Sequence, residues 1–153
     1  MKKRVNWKVL IVCLLIVTFV SFTGSLFTSR SVNSSWYESV KPSITPPNYV
    51  FPVVWSILFV LIAFSLYFAW QSSKNRKVLA CVYGSNFDLN MLWSFLYFGL
   101  KNPKAAFYQI FVLWLSIALM IAYVWKIDRK AAWLLVPYLF WVSFASVLNF
   151  LSI

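Results

Sequence analysis

The sequence predicts an all-α membrane protein, a five-transmembrane-helix bundle with its N-terminus in the cytoplasm and its C-terminus outside. The first observation is composition: 62% of the 153 residues are hydrophobic and 11% are charged, with a mean hydropathy of +0.77. The second is length, because a helical span needs about 20 mostly apolar residues. Five stretches meet that need, and in chain order, as spans 1 to 5, they cover 8–28, 48–70, 78–100, 104–125 and 131–152. We expect one membrane domain, residues 1–153, and no soluble domain.

The third observation is the distribution of basic residues at the span ends, which accounts for the net charge of +11. The side of the N-terminus carries ten of them: Lys2, Lys3, Arg4, Lys8, Lys74, Arg76, Lys77, Lys126, Arg129 and Lys130. The other side carries four, namely Arg30, Lys41, Lys101 and Lys104. The positive-inside rule therefore puts the N-terminus in the cytoplasm. We expect membrane lipids with anionic headgroups as the partners of these charges, and no nucleic acid.

Span 1 is predicted to be a retained helix. The basic residues before it resemble the start of a cleaved signal peptide, but the apolar run continues through Leu26 and Phe27. That run exceeds the usual apolar region of a signal peptide, about 7 to 15 residues. The chain also lacks an Arg-rich amphipathic transit segment, which favours the plasma membrane of a prokaryote. Cys13 and Cys81 are expected to be free thiols near the cytoplasmic ends of spans 1 and 3.

The outer loop 29–47 is polar and rich in proline. Pro42, Pro46 and Pro47 disfavour helix in the residues before them. Trp36 and Tyr37 are large side chains for a disordered linker, so we predict that the loop folds over the bundle as a lid. The alternative is that the two rings lie at the level of the lipid headgroups.

Span 2 carries Trp55 and Phe59 on one face, because they are four residues apart. Span 4 has few polar side chains and is predicted to pack. Span 5 contains Pro137, which frees a backbone carbonyl and is expected to kink the helix. A second stripe follows the spacing i, i+3, i+7, i+11 on span 5 and consists of Tyr138, Trp141, Ala145 and Asn149. The small residue beside the tryptophan leaves space for a ligand.

Span 3 has two faces of distinct composition, and the first is polar and aromatic. Asn86, Asn90, Trp93 and Tyr97 follow i, i+4, i+7, i+11 and fall within about 60° of arc on a helix. We predict that this stripe faces a ligand cavity. The alternative is that Trp93 faces lipid or the core and that Asn90 bonds another helix.

The opposite face of span 3 carries Ala80, Gly84 and Asp88. Small residues at this spacing favour close helix packing. An acid at the centre of a span costs at least about 2.5 to 3.5 kcal/mol unless it faces protein or water. We therefore predict a homodimer contact through this face. The alternative is that Asp88 carries protons in a small proton-linked transporter.

The residue inventory excludes several chemistries. The chain has no histidine, three acidic residues and two cysteines on separate spans. A Ser/His/Asp triad is therefore impossible, and no metal site or cofactor is expected. The sequence therefore does not predict a hydrolase, a kinase or a conventional metalloenzyme.

Three runs of sequence resemble the signature segments of the tryptophan-rich sensory protein and mitochondrial translocator protein family. They read WYESVKPSITPPNYVFPVVW, LNMLWSFLYFGLKNP and WLLVPYLFWVSFASVLNF, in the order of that family. The resemblance implies a five-helix bundle whose ligand cavity opens toward the loop between spans 1 and 2. Its members bind porphyrins and, in mitochondria, cholesterol, and several form homodimers.

The resemblance also implies site residues. By motif, the ligand-facing positions of the family match Trp55, Asn90, Trp93, Trp141 and Ala145. In some bacterial members the tryptophans that match Trp55 and Trp141 are implicated in light-dependent breakdown of porphyrin, so these two would be the catalytic pair. The sequence departs from the family at Asp88, where an apolar residue is usual, at Ile44, where tryptophan is common, and at the C-terminus, which lacks the tyrosine and arginine of the mitochondrial cholesterol motif.

A flat conjugated ligand would stack on the aromatic side chains, each pair adding about 0.5 to 1.5 kcal/mol. The amide of Asn90 would orient it. The propionates of a porphyrin such as protoporphyrin IX would reach toward Arg30, Lys41, Lys101 or Lys104. Three functions remain open: a receptor or carrier for such a ligand, a porphyrin-degrading enzyme, and a proton-linked transporter.

Overall fold

A computed structural model describes residues 5–153, and every regular element in that range is helical. The elements are α1 (Trp7–Ser31), α2 (Ser35–Val40), α3 (Val50–Ser72), α4 (Arg76–Ser94) continued by a π-helical turn (Phe95–Gly99), α5 (Pro103–Trp125) and α6 (Arg129–Leu151). The prediction of an all-helical protein is confirmed for this range. Lys2, Lys3 and Arg4, which contribute to the predicted orientation, lie outside the described residues.

Polar side chains fix where the long helices begin. Asn6, Asn75 and Asn102 each accept a hydrogen bond from a backbone N–H three residues later, at 3.3, 3.2 and 3.0 Å. Asp128 does the same for α6 and accepts from the backbone N–H of Lys130 at 2.8 Å. These caps satisfy N–H groups that the first turn of a helix leaves without a partner. The helices consequently start one or two residues before the predicted spans, except that α3 begins two residues after position 48.

Four helices of the described part are long and apolar enough to cross a membrane: α1, α3, α5 and α6. They correspond to predicted spans 1, 2, 4 and 5. Helix α4 does not reach that hydropathy, because Asn86, Asp88 and Asn90 interrupt its apolar sequence. A crossing by α4 stays a prediction.

The long helices form a closed ring of neighbours in the order α1, α3, α6, α5, α4 and back to α1. The centre of the ring is filled by large side chains with almost no exposed surface, among them Ile62, Tyr83, Leu113 and Met120. Polar cross-links join the helices. Ser65 Oγ donates to the carbonyl of Ala131 at 2.7 Å and lies 2.6 Å from the hydroxyl of Tyr83. Since an apolar interior offers no water, such bonds fix the helices relative to one another.

The connection 32–49 contains a helix that the sequence did not predict. Helix α2 begins after Ser34, whose hydroxyl accepts from the backbone N–H of Tyr37 at 3.3 Å. It ends at Val40, because Pro42 disfavours helical backbone at Lys41. Lys41 and Glu38 form an ion pair at 2.7 Å on its exposed side.

Helix α4 widens into the π-helical turn at its C-terminal end, where the N–H of Leu100 donates to the carbonyl of Phe95 at 2.8 Å. At Gly99 the backbone lies close to the rings of Phe95 and Phe27, which leaves no room for a side chain. A Cβ at this position would lie 2.9 Å from Cδ2 of Phe95 and 3.3 Å from Cδ1 of Phe27. The turn buries two consecutive rings, Tyr97 and Phe98.

The two cysteines are free, as the sequence predicted. Cys13 is buried between α1 and its neighbours, and Cys81 is exposed on α4.

Candidate functional site: an aromatic cavity beneath the connection 32–49

A cavity of about 400 Å³ lies inside the ring of helices, at the end covered by the connection 32–49. Its volume falls in the range of small-molecule sites. Residues of α1, α2, α3, α4 with its π-helical turn, and α6 line it. Eight aromatic side chains form most of the wall: Tyr37, Phe51, Trp55, Phe59, Trp93, Tyr97, Phe98 and Trp141.

Neighbouring rings hold these walls in place. Trp93 stacks on Tyr97 with ring centroids 5.3 Å apart and planes inclined by 27°. Trp55 lies 5.4 Å from Phe59, and Trp141 meets Phe51 edge to face at 5.8 Å. Because each ring is packed against another, the cavity has rigid aromatic surfaces before any ligand is present.

Trp141 offers the cavity a hydrogen-bond donor without a partner. Its Nε1 is buried and makes no hydrogen bond within the described residues. Two other intramembrane indoles have partners: Trp93 Nε1 donates to Asn149 Oδ1 at 3.0 Å, and Trp114 Nε1 donates to Ser143 Oγ at 2.8 Å. A buried polar group without a partner is costly, so a ligand acceptor beside Trp141 would be favourable.

Asn90 lines the cavity and is oriented by a chain of hydrogen bonds behind it. Its Nδ2 donates to the hydroxyl of Tyr138 at 3.0 Å, and that hydroxyl donates to Asn86 Oδ1 at 3.3 Å. Asn86 Nδ2 in turn donates to Ser116 Oγ at 2.8 Å. This series of hydrogen bonds links α4, α6 and α5 and uses the Nδ2 donor of the Asn90 amide. Its acceptor, Oδ1, takes part in none of the hydrogen bonds between residues 5 and 153 and remains for a ligand.

Seven of the predicted ligand-binding residues line this cavity: Trp55, Phe59, Asn90, Trp93, Tyr97, Trp141 and Ala145. Asn86 and Tyr138 lie outside its lining. Both are almost completely buried and belong to the hydrogen-bonded chain behind Asn90.

Sequence analysis missed the contribution of α1. Small and hydroxyl-bearing residues line the cavity from this helix, namely Ser21, Gly24, Ser25, Thr28 and Ser29. The first four follow i, i+3, i+4, i+7, so helical spacing of small residues in an apolar span was the signal that could have found them. Such residues leave room between α1 and the aromatic wall.

The predicted lid residues divide into two groups. Tyr37 and Pro42 line the cavity, together with Thr45, whose Oγ1 is buried without a hydrogen bond within residues 5–153. Trp36 lies behind them and meets Tyr97 edge to face at 5.9 Å. Pro46 and Pro47 are not part of the lining.

Tyr37 is the anchor of this cover. Its ring packs on Phe98 with centroids 5.6 Å apart and is 4% exposed. Burial, with smaller contributions from Tyr97 and Glu38, raises the pKa of the Tyr37 phenol to about 12. The phenol is therefore neutral at physiological pH, and no charge opposes its packing over the cavity.

The four basic residues predicted near the mouth are not part of the cavity wall. Two of them lie beside rings of the connection 32–49: Lys101 Nζ is 5.9 Å from the ring centroid of Trp36, and Lys41 Nζ is 6.0 Å from that of Tyr37. Arg30 is exposed at the end of α1, and Lys104 is exposed at the start of α5.

The structure separates the three residues predicted to form a dimer face. Ala80 and Gly84 line a groove between α4 and α1. Asp88 is exposed on the outer surface of α4 and belongs neither to that groove nor to the aromatic cavity.

Fold and site together define a helical integral membrane protein whose bundle encloses an aromatic cavity. The chain belongs to the TspO/MBR family, whose model matches residues 11–152. It is 42% identical over 143 residues to a tryptophan-rich protein TspO of Archaeoglobus fulgidus, covering 92% of each chain. It is 32% identical to a tryptophan-rich sensory protein of Cereibacter sphaeroides, covering 89% of this chain and 87% of the relative. With a translocator protein of Ovis aries the identity is 31%, over 84% of this chain and 79% of the relative.

Proposed function

We propose that this protein is a membrane receptor or carrier that binds a tetrapyrrole such as protoporphyrin IX, or a similar flat apolar molecule, in the aromatic cavity. The observation that carries the proposal is the pairing of rigid aromatic walls with two unpaired polar atoms, Trp141 Nε1 and Asn90 Oδ1. The names of the relatives, sensory protein and translocator protein, are consistent with it.

The chemistry of the wall favours a planar ligand. Rings such as Trp93 and Trp55 present faces and edges on which a conjugated macrocycle packs closely, each contact adding about 0.5 to 1.5 kcal/mol beyond area burial. The donor at Trp141 and the acceptor at Asn90 then fix the orientation of the ligand. A porphyrin supplies both kinds of partner in its pyrrole N–H groups and its carboxylates.

The test is a titration of the purified protein with protoporphyrin IX in the dark, followed by quenching of tryptophan fluorescence. The wild type should show saturable binding. Trp141→Phe and Asn90→Ala should each weaken it about 5- to 13-fold, because each removes one hydrogen bond worth about 1 to 1.5 kcal/mol. The control is Trp114→Phe, since that indole bonds Ser143 outside the cavity lining. Absent binding, or equal weakening by all three variants, would contradict the proposal.

A second candidate function is the light-dependent breakdown of the bound porphyrin. It is supported by the presence of both Trp55 and Trp141 in the wall of one cavity. Illumination of the same samples in air separates the two functions. An enzyme would convert the porphyrin to a new product at a rate that falls in Trp55→Phe and Trp141→Phe, whereas a receptor would release the porphyrin unchanged.

We also propose a homodimer through the outer surface of α4, centred on Asp88. Cys81, Ser85 and Asp88 are exposed there at i, i+4, i+7, a polar stripe that lipid would solvate poorly. Mild oxidation should cross-link two chains through Cys81. The cross-linked dimer should still form in Cys13→Ser, whose thiol is buried, and should be absent in Cys81→Ser. A transporter would instead show proton-dependent flux that Asp88→Asn abolishes while the cross-link remains.

For the topology we propose five crossings, with α4 as the fifth span, the N-terminus in the cytoplasm and a prokaryotic plasma membrane as the location. Residues 73–75 and 100–102 join α4 to its neighbours. Connections this short favour antiparallel neighbouring helices, so a spanning α3 and a spanning α5 imply a spanning α4. Labelling single cysteines at Ser34, Ser73 and Leu100 in a Cys13→Ser, Cys81→Ser background, from each side of sealed vesicles, tests this topology, because Ser73 and Leu100 flank α4 and its π-helical turn. Reaction of Ser73 and Leu100 from the same side would overturn the fifth crossing, and reaction of Ser34 from the cytoplasmic side would overturn the orientation.

A further inference from the structure

A second cavity, a groove of about 430 Å³, lies between α1, α3 and α4 near the start of α1. One end of it is marked by Lys8 and Trp70, and the other by Ile16 and Phe87. The side chains that line it are Lys8, Val9, Val12, Cys13, Ile16, Leu66, Trp70, Ala80, Tyr83, Gly84 and Phe87. The groove is therefore apolar along its length and basic at one end.

The groove is open where α4 presents the small residues Ala80 and Gly84. A Cβ built on Gly84 would meet no atom within 4 Å, which means that the space in front of this residue is free. Cys13 and Tyr83, both buried, form part of the floor. From Lys8 to Ile16 the groove follows α1 for about 12 Å, since a helix rises 1.5 Å per residue.

The basic end has no acidic counterpart. The lining contains no carboxylate, and the ion pair found within residues 5–153 is the one between Lys41 and Glu38 on the covering segment. Arg76 lies over the ring of Trp70 with its guanidinium carbon 5.5 Å from the centroid, which brings a second positive charge to the same end. Asp128 caps α6 and accepts from Ser72, so its carboxylate is already engaged.

We propose that this groove binds one acyl chain of an anionic phospholipid, with the headgroup phosphate held by Lys8 and Arg76. An acyl chain matches the apolar lining of the groove, and the uncompensated cations attract a net negative headgroup. The charges lie at the end of the groove where the helix termini are, which is the level of lipid headgroups.

The same geometry disfavours a second copy of the chain as the occupant. The polar stripe proposed as the dimer contact, Cys81, Ser85 and Asp88, lies outside the groove lining. A homodimer and a bound lipid would therefore use adjacent surfaces of α4.

The test measures lipid retention by native mass spectrometry after the protein is taken from nanodiscs of equal phosphatidylglycerol and phosphatidylcholine. The wild type should retain one phosphatidylglycerol per chain. Gly84→Leu fills the open space and should reduce retention of either lipid about tenfold. Lys8→Glu should remove most of the preference for phosphatidylglycerol. Two matched controls should behave as wild type: Thr18→Leu, exposed on α1 outside the lining of both cavities, and Lys104→Glu, at the opposite end of the bundle.

Unchanged retention in Gly84→Leu would overturn the proposal of an acyl site, and unchanged selectivity in Lys8→Glu would overturn the headgroup assignment. Loss of the Cys81 cross-link in Gly84→Leu without loss of lipid would assign the groove to a second copy. Thermal unfolding of each variant in detergent serves as a check of folding. The lipid result does not depend on the porphyrin proposal, because the two cavities share no lining residue.

Discussion

Ala145→Trp should abolish saturable protoporphyrin binding while the protein stays folded. Ala145 lines the aromatic cavity on α6, close in sequence to Trp141, and an indole at this position would project into the space that a ligand would fill. We expect affinity to fall by at least about 100-fold, equivalent to about 2.7 kcal/mol. Titration by fluorescence quenching measures the loss, with thermal unfolding in detergent as the check on the fold.

The matched control is Val147→Trp. Val147 lies two residues further along α6 and is 50% exposed on the outer surface, where lipid accommodates an added ring. Binding should be unchanged in this variant. Normal protoporphyrin affinity in a folded Ala145→Trp protein would show that the ligand binds elsewhere and would remove the basis of the proposed function.

Asn149→Ala should cause a large loss of stability. Asn149 is almost fully buried, accepts from Trp93 Nε1 at 3.0 Å and donates from Nδ2 to the carbonyl of Pro103 at 2.8 Å. It therefore ties α6 to α4 and to the first turn of α5. Its removal leaves the Trp93 N–H without a partner, at a cost of about 1 to 3 kcal/mol, and removes a second hydrogen bond from the Pro103 carbonyl, so we expect a loss of about 2 to 4 kcal/mol in the free energy of unfolding.

A double-mutant cycle isolates this contact. In the Trp93→Phe background the indole N–H is already absent, so Asn149→Ala should cost about 1 kcal/mol less than in the wild type. Unfolding titrations of the four proteins in mixed detergent give the coupling. Equal costs in both backgrounds would mean that the bond between Trp93 and Asn149 does not contribute to stability.

The inner side of α4 and its π-helical turn shows which features the sequence predicts and which it does not. Helical spacing correctly put Asn86, Asn90, Trp93 and Tyr97 on the inner side of the bundle, since all four have most of their surface buried. Spacing does not determine what a polar side chain meets there. Asn86 lies four residues before Asn90 and is bonded to Ser116 and Tyr138, whereas Asn90 reaches the cavity. That difference depends on which helix is the neighbour at each depth, which only the packing decides.

Helix α2, the π-helical turn and the order of the helices could not be predicted from the sequence pattern. Helix α2 has six residues, too few for periodicity to be read, and it is stabilised by the packing of Tyr37 on Phe98. The π-helical turn at 95–99 changes the spacing that an α-helix would give, so its two consecutive buried rings could not be derived from a period of 3.6. The circular order of the helices is likewise a property of tertiary packing and not of any one span.

The aromatic cavity is not closed on all sides. Four of its lining residues, Ser25 and Ser29 on α1 and Pro52 and Ser56 on α3, are exposed. An apolar ligand can therefore reach the rings sideways from the hydrocarbon of the bilayer. Such a ligand has left water before it meets the protein, so the hydrophobic effect contributes little to its transfer from lipid to cavity. Selection among membrane-dissolved molecules then rests on ring packing and on the two hydrogen bonds, and measured affinity should scale with the mole fraction of ligand in the lipid rather than with its concentration in water.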